Sequence, residues 1–409
     1  TLTSATGASN MPPLSAGDNF GSSVGLDGDK LVVGARSDDT SGAVHLFANA
    51  GADFSGLSWK GKISSNAGAL GMTGLNANDN FGIAVALDGD QLAVGSNQDD
   101  AGGVNSGAVH LFTDVGTDFT NVAWKGRLTS GTGAANMPAL AAENRFGRAI
   151  ALEGDLLVVG SRADDTGGTS GVNSDRGAAF LFTGASSRFS DLSYVKKLTS
   201  GEGAGNMPVL ADGDHFGSAL ALDRGRLIVG ADTDSTVGDD QGAAYLFTGV
   251  GTNFSGLKLG DKLVSGSLGS SSPSPVLNNQ DQFGTSVALE GDLLAIGARR
   301  DDTGGVDSGA VYLFKGASGE DFSGLTLSSK LASGQGAQNM ANLAAGSSFG
   351  TSVALNAGRL AVGAELESTG SREHGAVYLF SGAGSDFSGL KLNRTLTSAT
   401  GASNMPPLS

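Results

Sequence analysis

The chain has 409 residues, 67 of them glycine, a formal net charge of −16 and no cysteine. The absence of thiols excludes disulfides, zinc–thiolate centres, iron–sulfur clusters and a cysteine nucleophile. An excess of 41 acidic over 25 basic residues argues against nucleic acid and anionic lipid as partners, since both need a basic face.

High glycine beside 39% hydrophobic residues points to tight turns between short strands, and no apolar run approaches the roughly 18 residues that cross a bilayer. Self-similarity then sets the architecture. The dipeptide Phe-Gly recurs at Phe20, Phe81, Phe146, Phe216, Phe283 and Phe349, at intervals from 61 (81 − 20) to 70 (216 − 146) residues. Each copy reads as four strands in order. The first, such as Gly284 to Leu289, mixes small and apolar residues, as a strand lining a crowded axis would. A two-residue turn follows: Asp27-Gly28, Asp88-Gly89, Glu153-Gly154, Arg224-Gly225, Glu290-Gly291 or Ala357-Gly358. Glycine in the second position permits the positive φ of a tight hairpin. The second strand (Leu293 to Gly297 in repeat five) is continuously apolar and so buried on both faces. The third, Ala310 to Phe314, has the β-branched and aromatic content of strands. The fourth, expected at 59–64 in repeat one and 329–333 in repeat five, alternates polar with apolar residues as an outer edge does.

Four antiparallel strands per repeat make the blade of a propeller, whose faces are buried only when neighbours stack and the ring closes. The expectation is an all-β chain, one six-bladed β-propeller spanning 1–409. A β-solenoid would need shorter repeats without regular hairpins, and an open superhelical stack would use the same local pattern.

Phe-Gly, then Val-Gly-Ala, then Gly-Ala-Val-Tyr-Leu-Phe, resembles the FG-GAP repeat of integrin α-subunit heads, and is closer to the bacterial-type version through Arg127-Leu128-Thr129 ahead of the next Phe-Gly. The resemblance covers all six copies. It implies a non-enzymatic propeller at a cell surface or outside the cell, used in adhesion and protein recognition. Two departures matter. The proline of the Gly-Ala-Pro signature is replaced by Arg36, Asn97, Arg162, Asp232, Arg299 and Glu365. The calcium loop that integrin repeats insert between the first two strands is here a two-residue turn, too short to wrap an ion needing six to eight oxygens. Integrin heads also have seven blades, against six here.

Carboxylates gather instead between the second and third strands: Asp38-Asp39, Asp99-Asp100, Asp164-Asp165, Asp232 with Asp234, Asp301-Asp302, and Glu365 with Glu367. Two readings stay open. Such pairs suit a hard cation, so calcium is one expectation for these residues; the other is that they cap turns through their own backbone. An arginine beside the pair in repeats one, three and five favours ion pairs. His45 and His110 hold the slot that Phe180, Tyr245, Tyr312 and Tyr378 hold elsewhere, and read as sheet-face residues. No Ser/His/Asp grouping recurs and the glycine-rich loops precede strands, so catalysis and phosphate cradling in those loops are not expected. Trp59 and Trp124 both fall in outer strands, which weakens a lectin reading.

Residues 1–15 recur unchanged at 395–409, whereas the internal versions from Leu128 and Leu198 are only similar. Thr1 reads as the start of a processed or excised chain. Leu2-Thr3-Ser4 and Leu396-Thr397-Ser398 each carry a fourth strand, and one ring needs a single copy. The duplicate reads as a link in a longer array, as a segment completing a neighbour's blade, or as a surplus tail. The functional expectation is an extracellular structural or adhesive bead associating head to tail; the alternative is a module recognising a protein or glycan on one propeller face.

Overall fold

The computed structural model describes residues 14–15, 17–166, 174–267, 274–317, 322–368 and 374–397. Blade one comprises β1 (Phe20–Asp27), β2 (Lys30–Ala35), β3 (Ala43–Ala48) and β4 (Ser58–Ile63), paired antiparallel in that order. The same meander recurs five times, each blade opening on an innermost strand at a Phe-Gly: β5 (Phe81–Asp88), β9 (Phe146–Glu153), β13 (Phe216–Asp223), β17 (Phe283–Glu290) and β21 (Phe349–Asn356). β2 is buried at every residue, as its unbroken apolar run predicts, and so are its counterparts in the other blades.

The core lies between blades. Six apolar clusters each join one blade to the next, and the sixth couples Leu379 and Leu396 of blade six to Phe20 and Val33 of blade one. Within each blade the opening phenylalanine meets a third-strand ring edge to face at 5.2–5.4 Å, from Phe20–His45 to Phe349–Tyr378. His45 and His110 thus occupy the sheet-face slot expected of them.

Two glycines per joint set the distance between blades. Gly82 has φ +90°, and the β5–β6 register slips beside it, where β6 is Gln91–Ser96. Its carbonyl lies so close to Gly34 that a Cβ on Gly34 would overlap it. The arrangement repeats at Gly95/Gly147, Gly160/Gly217, Gly230/Gly284, Gly297/Gly350 and, closing the ring, Gly363/Gly21. At the opposite face the last residue of each innermost strand accepts a hydrogen bond from the next blade's hairpin amide. Asp27 accepts from Gly89 (3.0 Å), Asp88 from Gly154 (2.6 Å), Glu153 from Arg224 (2.8 Å) and Asp223 from Gly291 (2.9 Å). Glu290 accepts from Ala357 (2.6 Å), and Asn356 accepts from Gly28 (3.1 Å), which joins blade six to blade one by the same bond. The ring is closed at six blades, not an open superhelix.

The fourth strand departs from expectation. In repeat five it is β20 (Thr326–Leu331) rather than the expected 329–333: it starts earlier, and it ends at Leu331 because Ala332 leaves the sheet in a tight turn with Gln335 (3.0 and 3.3 Å). Its register slips opposite Leu313/Phe314, as β4 slips opposite Leu46/Phe47, so the polar–apolar alternation is broken by a bulge. The last strand, β24 (Lys391–Thr397), includes Leu396 and Thr397, with Leu396 fully buried against Val377. Leu2, Thr3, Ser4 and Ser398 lie outside the described residues.

A side chain at the joint glycine has nowhere to go. Gly34→Val is expected to lower stability by about 3 kcal/mol or prevent folding, whereas Gly61→Val, at an open fourth-strand site, costs about 1 kcal/mol or less. Urea unfolding of the two variants checks this.

Candidate functional site

The loop carboxylates sort into two sets. The first set is a box repeated around the ring, in which a buried carboxylate after the second strand meets a third-strand side chain and a fourth-strand cation. Asp38 contacts His45 Nε2 (3.0 Å) and Lys62 Nζ (2.8 Å). Asp99 takes Arg127 (2.9 Å) above His110, and Asp164 takes Lys197 (3.1 Å). Asp234 accepts from the Tyr245 hydroxyl (2.7 Å) and Lys262 (2.6 Å), and Asp301 from Tyr312 (2.9 Å) and Lys330 (2.6 Å). Burial alone would raise the carboxyls of Asp38, Asp234 and Asp301. The His45 and Lys62 hydrogen bonds outweigh it at Asp38, as Lys262 does at Asp234 and Lys330 at Asp301, holding each below the usual range. Blade six is an internal control. Thr395 stands opposite Tyr378 where a cation would be, and Glu367, bonded to the Tyr378 hydroxyl at 3.2 Å, is pushed up by burial.

The same carboxylates also cap their loops, accepting the amide two residues on: Ala101 at Asp99, Thr166 at Asp164, Thr236 at Asp234 and Thr303 at Asp301, at 2.8–3.0 Å. The second aspartate of a pair does similar work. Asp100 accepts from the Asn105 amide (2.7 Å), Asp165 from Asp175 (2.9 Å) and Asp302 from Asp307 (2.8 Å), while Asp39 pairs with Lys62. A lysine or arginine thus occupies the position a metal would take, and among the described residues no three His, Asp or Glu side chains gather as a metal-ligand set. Ion pairing was anticipated, but its partners differ from expectation. The box cations come from the fourth strand, not from the neighbouring arginines.

Those arginines belong to the second set, at the ring axis. Of the residues after each second strand, Arg36, Arg162, Asp232, Arg299 and Glu365 meet one another across blades, and Asn97 holds the same position in blade two. Asp232 and Asp234 are therefore not one site, and neither are Glu365 and Glu367. Arg36 Nε donates to Glu365 (3.1 Å), and Arg299 Nε donates to Gln282 (2.7 Å). Asp232 feels Arg162, Arg299, His215 and Arg148, which outweigh its burial and keep its carboxyl low. Groups from blades three, four, five and six converge there.

A third position escaped sequence reading. Twenty residues before each box carboxylate stands Asp18, Asp79, Asn144, Asp214, Asp281 or Ser347, all buried. The signal was available as a polar residue two places before each Phe-Gly. Asp18, Asp79, Asp214 and Asp281 each accept a backbone amide at 2.6–2.8 Å, and Asn144 donates to Asp164 (3.1 Å). Burial first, then the neighbouring box carboxylate, pushes Asp79, Asp214 and Asp281 up to about 6.

Repeated blades, a closed axis and a box that recurs with its own cation define a tandem-repeat β-propeller. A family model described as FG-GAP repeat matches residues 14–47, 73–112, 140–182, 195–247, 277–314 and 341–380, more than half of the chain. The chain belongs to the FG-GAP repeat family. No curated protein matches it significantly.

The raised aspartates set a pH dependence. A free aspartate titrates near 3.9, so between about pH 4 and 6 the folded chain keeps protons that the unfolded chain has released. Stability contributed by these groups therefore falls as pH rises through that window, and the cost is complete at neutral pH. Asp38, Asp99, Asp234 and Asp301, held low, act oppositely and withdraw their contribution only as pH falls below about 4. Asp214→Asn, which copies Asn144 and keeps an acceptor for the Ala211 amide, is expected to stabilise by on the order of 2 kcal/mol at pH 7. Near pH 4 it should have almost no effect. Thermal unfolding against pH checks both.

Proposed function

We propose that the chain is a non-enzymatic extracellular structural or adhesive protein whose ring is one bead of a head-to-tail array. FG-GAP repeats are typical of extracellular or surface proteins, which supports that location. The observation carrying the array is the spacing of the duplicated segment. Leu2 stands 18 residues before Phe20, just as Ile63 precedes Phe81, Leu128 precedes Phe146, Leu198 precedes Phe216 and Leu331 precedes Phe349. Leu396, the equivalent of Leu2, already completes blade six. A segment identical to 395–409 and followed at the blade-to-blade distance by a Phe-Gly suits a connector through which one ring passes into the next.

In this reading the rings are held by covalent continuity, and the Leu2-Thr3-Ser4 copy serves as the outer strand of a preceding ring. Calcium is not required, because lysine or arginine already neutralises Asp38, Asp99, Asp164, Asp234 and Asp301. Membrane insertion by helices has no support: among the described residues no helix is long and apolar enough to cross a bilayer. The second reading, a module recognising a protein or glycan on one face, is favoured by the unequal side chains that the six blades bring to the axis.

Electron microscopy of the native material, with its mass read alongside, tests the array. Strings with one ring per 394 residues (395 − 1) are expected. Single rings near 40.5 kDa would overturn the array and leave the recognition module.

A further inference from the structure

What a blade needs for folding recurs in every blade, so a residue type found in one blade alone calls for another explanation. The third residue of the innermost strand is Ser22, Ile83, Arg148, Ser218, Thr285 or Thr351. The residue before each opening phenylalanine is Asn19, Asn80, Arg145, His215, Gln282 or Ser348, and the residue after the second strand adds Arg162. Blade three therefore brings three arginines to the axis, where no other blade brings more than one.

The other axial arginines are occupied, since Arg36 is bonded to Glu365 and Arg299 to Gln282. Arg148 and Arg162 make no hydrogen bond or ion pair among the described residues. Arg162 Nε and Arg145 Nε are both removed from solvent without a partner. Burial, and then the like charge of Arg162, brings Arg148 down to about 10. Asp232, the carboxylate they face, lies 3.7 Å from His215 and accepts a long bond from Thr285 (3.4 Å). A cavity of about 270 Å³ opens beside Arg145, Arg162 and His215, with Glu143 and Asp175 also in its wall. The three arginines and the carboxylates of Asp232, Glu143 and Asp175 balance in number, yet Arg145 and Arg162 keep unspent donors and Asp232 Oδ1 an unmet acceptor.

We propose that Arg145 and Arg162 in the wall of this cavity, with the charge of Arg148 beside Arg162, bind a tetrahedral oxyanion group, a sulfate or phosphate, near the ring axis. The inference stands apart from the array. Guanidinium forks match oxyanions two bonds at a time, and partial burial of the guanidiniums strengthens each bond. The Glu143 and Asp175 carboxylates in the wall limit the ligand to a compact anionic group, not an extended polyanion.

Calorimetry and thermal unfolding of the full chain in sulfate, in phosphate and in chloride at matched ionic strength test this. Sulfate or phosphate is expected to raise Tm beyond chloride, by preferential binding to the folded state. Arg148→Gln should weaken that binding about tenfold or more. In chloride it should melt no lower than the unaltered chain, because it removes a like charge beside Arg162. Arg300→Gln, on an outer loop and paired with Asp307, should leave binding unchanged. Tighter sulfate binding points to a sulfated glycan, and tighter phosphate binding to a phosphate ester. Absence of any oxyanion-specific heat or Tm shift overturns the proposal. So does an Arg148→Gln protein that melts lower in chloride yet keeps the response, which would make Arg148 a structural partner of Asp232. Should Arg148→Gln fail to fold, Arg162→Gln takes its place, and retained binding in that variant overturns the proposal equally.

Discussion

The close approach of backbone to backbone at the blade joint is the constraint on which the molecule depends. Gly34 and its five equivalents leave no room for a Cβ because the next blade's Phe-Gly carbonyl already fills that space. That carbonyl is aimed there by a glycine at φ near +90°, a conformation other residues rarely adopt. Once six joints share this geometry, the angle between blades is fixed and the ring closes where the sixth meets the first. The apolar clusters, the phenylalanine–ring contacts and the hairpin hydrogen bonds then follow the same sixfold order.

Charge is handled in two opposite ways on this frame. In the boxes each buried carboxylate is matched by a cation from the outer strand, tying the second, third and fourth strands together and fixing the loop through its own amides. Such pairing is weak evidence of net stabilisation, since desolvation offsets most of the Coulombic gain. Its clearer consequence is that the loops are held in one conformation without a metal. At the axis the match fails. Arg145 and Arg162 of blade three keep buried donors without partners, and Asp232 Oδ1 beside them keeps an unmet acceptor.

The fold was legible because its determinants are local and repeated six times. Phe-Gly marked each innermost strand, and pairs such as Asp27-Gly28 marked the hairpins. The apolar run of the second strand announced its burial. What escaped depended on three dimensions. Asp38 and Lys62 are 24 residues apart, and only the sheet brings them together. Asp232 and Asp234 look like one pair in sequence, yet the loop turns at Thr233 between them, and one faces the axis and the other the box. The aspartates two places before Phe-Gly looked like ordinary linker residues, because nothing local reveals that Asp214 lies beside Asp234. The bulge in the fourth strand had no marker beyond irregular alternation.

Closure of the ring is the claim from which the rest follows, and the lack of native cysteine makes it directly measurable. Spin labels at Ser55 and Thr120, exposed on blades one and two, report an ordinary neighbour distance, and labels at Ser388 and Ser55 span the joint between blades six and one. Pulsed electron–electron resonance on the two doubly labelled chains should give coincident, narrow distance distributions. A longer and broader distribution for the Ser388–Ser55 pair would mean that the blades stack without closing, and would contradict the account.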